Sequence, residues 1–86
     1  MKTFKDLNFV THPNNLEGLQ ARMDFKNNYG VSVVKFNGSY GSQDDLWEVG
    51  IMYEKRLTYS THITNDVLGW QTEENVTEIM KQVQNL

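Results

Sequence analysis

The side chains with the greatest chemical potential in this sequence are two histidines, His12 and His62, and a group of carboxylates at Asp44, Asp45 and Glu48. A structural zinc site needs nitrogen or sulfur ligands at fixed spacing, and the chain has no cysteine and no second histidine near either one. His62 with Asp66 could form a base and its orienting carboxylate, but group transfer also needs a nucleophile within hydrogen-bond reach. The serines and threonines are so numerous that none is singled out. Asp44, Asp45 and Glu48 lack the ligand pattern and central glycine of a calcium loop and read as a solvated acidic loop. Gly38-x-x-Gly41 falls between two strands, with no helix N-terminus behind it to hold a phosphate. These residues predict no catalytic centre, no metal site and no cofactor.

Aromatic rings offer a second kind of chemistry. Tyr29, Phe36, Tyr40, Trp47, Tyr53 and Tyr59 could stack on single-stranded nucleic acid, but such platforms are interleaved with basic residues that track the phosphates. Here Arg22, Lys26, Lys35, Lys55 and Arg56 lie beside Asp24, Glu48 and Glu54, and the net charge is −3. A polyanion is therefore an unfavourable partner, and most of these rings are expected in the core. Nowhere do apolar residues run together for the roughly 18 positions that a membrane helix needs, and Met1 to Asp6 do not develop a signal peptide's apolar stretch. With no cysteine for covalent staples, the expectation is a cytoplasmic protein without membrane contact.

Any site must be positioned by one core, because 86 residues fall below the usual range for two domains. Leu19, Ala21, Met23 and Phe25 alternate with Gln20, Arg22, Asp24 and Lys26, which predicts a strand. Asn27-Asn28-Tyr29-Gly30 supplies residues that tolerate positive φ in a tight hairpin, so residues 31–36 return antiparallel with Phe25 opposite Val33. Residues 38–45 form a surface loop rich in turn formers. Trp47, Val49, Ile51 and Tyr53 alternate with Glu48, Gly50, Met52 and Glu54, and residues 57–63 alternate again after a polar link. Residues 4–10 are expected as a short strand or extended arm whose aromatic rings seal one edge of the core, followed by a turn at His12-Pro13-Asn14-Asn15.

Thr64-Asn65-Asp66 reads as the cap of a single helical turn ended by Gly69, with Trp70 locking the corner onto the sheet. Residues 72–85 are an amphipathic helix capped by Thr72, with Val76, Ile79, Met80 and Val83 at i, i+3, i+4 and i+7. The predicted fold class is α+β: a four-stranded antiparallel β-meander with an N-terminal extended arm, one face covered by a single C-terminal amphipathic helix. Val34, Phe36 and Met52, with Leu46, then lie on the sheet face away from the helix, where contiguous apolar surface marks a partner site. With Tyr40, Gln43, Asp44 and Asp45 of the loop they are the candidate partner contacts.

The order Tyr29-Gly30-Val31-Ser32-Val33, Tyr40-Gly41, Leu46-Trp47-Glu48-Val49 and Ile63-Thr64-Asn65-Asp66-Val67-Leu68-Gly69-Trp70 resembles a group of small tailed-bacteriophage proteins, over about residues 20–83. The family pattern looks like a YGVSV strand, a YG loop, a strand reading Leu, Tyr or Trp, Glu, Val or Leu, and an ITDDVLGY corner. Asn65 and Trp70 stand here where Asp and Tyr would be expected. The resemblance transfers no catalytic residues. It implies a non-enzymatic accessory protein of the host cytoplasm that acts by protein–protein interaction, possible targets being a host enzyme or defence complex. The competing implications are a self-assembling housekeeping or virion-associated part, which would use the same face in a homodimer, and, more weakly, a small ligand-binding domain or enzyme.

Overall fold

The computed structural model describes residues 1–13 and 18–86. It is an α+β fold, an antiparallel sheet with one C-terminal helix packed against it. The strands are β1 (Val10–Thr11), β2 (Leu19–Asp24), β3 (Tyr29–Lys35), β4 (Trp47–Tyr53), β5 (Arg56–Leu57) and β6 (Leu68–Gln71), and helix α1 spans Glu73–Gln84. Among the described residues the sheet has six strands, in the order β1-β2-β3-β4-β5, with β6 also paired to β4.

The alternating pattern places Val31 opposite Ile51 and Val33 opposite Val49 on the two central strands. All four are buried, and α1 lays Val76, Ile79, Met80 and Val83 on them, so the predicted helical stripe is the buried one. Both helix ends are tied down. Thr72 Oγ1 accepts from the Asn75 amide at 3.1 Å while Asn75 Oδ1 accepts from the Thr72 amide at 3.2 Å, a reciprocal cap. At the other end Asn27 Nδ2 donates to the Val83 carbonyl at 2.9 Å, joining the β2–β3 turn to the last helical turn.

The N-terminal segment departs from a simple arm. Phe4–Asp6 is a 3-10 turn, and pairing is confined to Val10 and Thr11. Its rings nevertheless seal the core: Phe4 lies 5.5 Å from Phe9 and 5.5 Å from Trp47, and Phe9 lies 4.5 Å from Trp47, centroid to centroid. The turn expected at Asn14 and Asn15 lies outside the described residues.

Two expectations about register and connection are corrected. Val33 pairs with Ala21, not Phe25, because the hairpin closes tightly, with Asp24 opposite Gly30. The slip is by four residues, an even number, so every side chain keeps its predicted face. The meander of four strands is also incomplete. After Leu57 the chain leaves the sheet and returns as β6: Met52 pairs with Leu57 and Val49 with Leu68, so three steps along β4 match eleven along its partner. The eight extra residues replace most of the strand expected at 57–63. Their hydroxyls explain this, because Thr61 Oγ1 accepts from the Ile63 and Thr64 amides and Thr64 Oγ1 accepts from the Asp66 amide. Those local bonds compete with a ladder.

The link between β4 and β5 is a two-residue turn in which Glu54 (φ 49°) and Lys55 (φ 69°) are both left-handed. Asparagine and glycine hold such a turn with less strain. Glu54→Asn combined with Lys55→Gly is therefore expected to stabilise the protein by about 1 kcal/mol, raising Tm by about 4–8 °C in a calorimetric scan. A lower Tm would mean that the exposed Lys55–Asp24 ion pair, at 2.7 Å, matters more than the backbone.

Candidate functional site

The outer sheet face expected to be exposed is closed. Val34 and Met52 are buried, and Phe36 and Leu46 are half-buried. The excursion after Leu57 accounts for part of this, since a side chain at Gly50 would meet Leu57 Cδ2 at 2.6 Å and Val67 Cγ1 at 3.8 Å. Phe36 packs against the His12 ring, with centroids 4.6 Å apart and planes tilted by 40°. Met52 lines a small cavity of about 130 Å³ with Arg22, Asp24 and Lys55. Val34 and Met52 are therefore core side chains and cannot reach a partner.

The loop residues fare differently. Tyr40, Gln43, Asp44 and Asp45 are all exposed. Gln43 and Asp44 sit on a 3-10 turn, Ser42–Asp44, flanked by Gly41 (φ 99°) and Asp45 (φ 60°). The loop is pinned from within. Buried Ser39 Oγ accepts from the Phe36 amide at 3.1 Å and donates to the Phe36 carbonyl at 2.9 Å. Asp45 pairs with Lys35 at 2.7 Å, and the same ammonium lies 4.1 Å from the Trp47 ring centroid.

The residue that sequence reasoning misplaced is Trp70. It does not lock a helical corner onto the sheet, because residues 68–71 pair with β4 across a bulge, and the open edge of β4 needs partners. Trp70 itself is left-handed (φ 55°) and 57% exposed, and its indole is stacked on Tyr40, itself 55% exposed, with centroids 5.6 Å apart and planes 19° apart. The backbones touch beneath the rings: the Trp70 amide donates to the Tyr40 carbonyl at 3.2 Å. Such an approach leaves no room for side chains at two positions. A Cβ at Gly41 would lie 2.8 Å from the Trp70 backbone, and one at Gly69 would lie 2.4 Å from Tyr40 Cβ. Glu48 Oε1 completes the joint by accepting from the Tyr40 amide at 2.9 Å. The sequence signal was present as two mirror-image dipeptides, Tyr40-Gly41 and Gly69-Trp70.

No known protein family, curated protein or solved structure matches this chain. The geometry of the joint thus stands alone.

Other features are chemically plain. His62 is exposed, and Asp66 Oδ1 accepts from the Val67 amide at 2.7 Å. Among the described residues no three histidine, aspartate or glutamate side chains cluster as metal ligands would, and no helix is long and apolar enough to cross a membrane. A wide cleft of about 730 Å³ lies at the opposite end of β3, where Lys2, Asp6, Asp24 and Lys26 balance one another around Phe25.

Proposed function

We propose that this protein acts by protein–protein contact, with the stacked Tyr40–Trp70 pair and the exposed Gln43, Asp44 and Asp45 as its binding surface. One observation carries the reading: two large aromatic residues are held side by side in solvent, one of them on left-handed backbone. Tryptophan at positive φ costs about 1–2 kcal/mol relative to glycine, and exposure of the indole returns little of the hydrophobic gain. Strain retained at an exposed aromatic side chain points to use. Tryptophan and tyrosine dominate the hot spots of interfaces because they bury much area with little loss of side-chain freedom.

Within this proposal the chain is a non-enzymatic accessory protein of a tailed bacteriophage, working in the host cytoplasm on a host or phage protein, as the sequence resemblance implies. An acidic, patch-bearing surface needs no catalytic group for that task.

The test uses the whole chain immobilised in a bacterial cell extract. Trp70→Gly removes the indole while relaxing the backbone, so its Tm is expected to stay within about 5 °C of the parent. Captured protein is expected to disappear with Trp70→Gly and with Tyr40→Ala, and to persist with Tyr53→Ala, which alters an exposed aromatic elsewhere on the sheet. Undiminished capture by the folded Trp70→Gly variant would refute the surface.

A further inference from the structure

We infer that the partner presents a cationic segment, with an arginine guanidinium laid against the Trp70–Tyr40 pair. This rests on the binding surface proposed above and adds the chemistry of its occupant.

Charge is unevenly distributed along the segments that carry the exposed rings. The two stretches that meet at the pair, residues 37–48 and 66–75, contain Asp44, Asp45, Glu48, Asp66, Glu73 and Glu74 and no lysine or arginine. All eight basic residues lie elsewhere, with five of the eleven acids. The weak net charge of −3 thus conceals two acidic segments and a mildly basic remainder of the chain. Lys35 reaches the first of these segments and is taken up by Asp45. Among the described residues the side-chain carboxylates of Asp44, Glu73 and Glu74 make no hydrogen bond or ion pair.

A flat π-surface on two segments that carry carboxylates and no basic residue favours one class of ligand. The negative face of indole attracts cations, and carboxylates add long-range attraction and repel phosphates. Arginine suits the site better than lysine because its planar, weakly hydrated guanidinium stacks on a ring while its N–H fork binds carboxylate. The fold already contains a small instance of this chemistry, since the Lys35 ammonium lies between the Trp47 ring and the Asp45 carboxylate. The exposed pair offers the same elements outward.

The experiment titrates the intact protein, at physiological salt, with hexa-arginine, hexa-lysine, hexa-glutamate, an oligothymidylate and a cello-oligosaccharide, following tryptophan fluorescence and heat. Trp47 is buried, so Trp70 is expected to dominate the spectral response. Hexa-arginine is expected to bind and to perturb the fluorescence, with affinity falling about five- to tenfold in Trp70→Gly. A comparable fall is expected in the triple variant Asp44→Asn, Glu73→Gln, Glu74→Gln, and hexa-lysine is expected to bind several-fold more weakly. Equal hexa-arginine affinity in parent and Trp70→Gly, both confirmed folded by circular dichroism, would overturn the inference. So would preferential binding of the oligothymidylate or the sugar. If capture from extract depends on Trp70 but is unchanged in the triple carboxylate variant, the cationic partner is refuted while the binding surface stands. If capture and peptide binding both ignore Trp70, both readings fall.

Discussion

A chain ending at Gln71 is expected to show no cooperative thermal transition. The deletion removes Val76, Ile79, Met80 and Val83, all buried, and uncovers Val31, Val33, Val49 and Ile51 on the sheet. At about 25 cal/mol per Å² the four helical side chains alone contribute on the order of 5–10 kcal/mol, as much as the whole net stability of a typical domain this size. The loss is greater than the helix by itself, because α1 also anchors the N-terminal segment. The Phe4 amide donates to Thr77 Oγ1 at 3.1 Å, and Gln84 accepts from the Lys2 amide and donates to its carbonyl. Without those contacts the Phe4 and Phe9 rings lose their hold beside Trp47. Calorimetry of the truncated chain gives the answer directly. A sharp unfolding endotherm would mean that the sheet carries an independent core and that the helix is an accessory. As a graded companion, Met80→Ala in the full chain is expected to cost about 2–5 kcal/mol, since the side chain is wholly enclosed.

The second large effect is expected at Gly41. Gly41→Ala must place a methyl group 2.8 Å from the Trp70 backbone, closer than carbon atoms tolerate, on a residue whose φ of 99° alanine disfavours. The neighbouring atoms are backbone and cannot rotate away, so the loop must part from the β6 corner. The expected cost is about 2–4 kcal/mol, a fall in Tm of at least about 10 °C, together with loss of partner capture. Gly38→Ala supplies the control. Its φ is 104°, yet nothing lies within 4 Å of the added methyl, so only conformational strain of about 1–2 kcal/mol applies. The difference between the two variants isolates the close approach of loop and corner. Equal Tm values for both would show that the Tyr40 loop does not rest on Trp70.

The molecule thus divides into a scaffold and a surface. The helix–sheet core tolerates little change, whereas Gln43 and Asp44 are exposed and can vary at small cost to stability. The rings are different from both. Tyr40 and Trp70 are exposed yet depend on two glycines packed beneath them, so their presentation is coupled to the fold. A rigid pair loses little entropy on binding, which suits it as an anchor for the proposed cationic segment.

The elements with strong local periodicity were legible in the sequence. Alternation in residues 19–25, 31–36 and 47–53 determined strands and their buried faces, and the 3.6-residue stripe with Thr72 ahead of it determined the closing helix. Period and cap chemistry are properties of neighbouring residues and need no knowledge of the rest of the chain. The register slip at Val33 shows the same logic, since pattern specifies a face but turn geometry specifies the partner.

What only tertiary structure decided lies between Leu57 and Gln71. Alternation there suggested one more strand and then a helical turn, but hydroxyls bonding their own backbone drew the chain off the sheet, and the unpaired edge of β4 brought residues 68–71 back. Whether an edge is completed by adjacent residues or by others many positions later is a competition between local hydrogen bonds and distant ones. No window of sequence contains both sides of it. The same competition helped close the outer face beside Gly50 and turned Trp70 outward onto Tyr40, so the buried framework came from pattern and the exposed aromatic pair from packing.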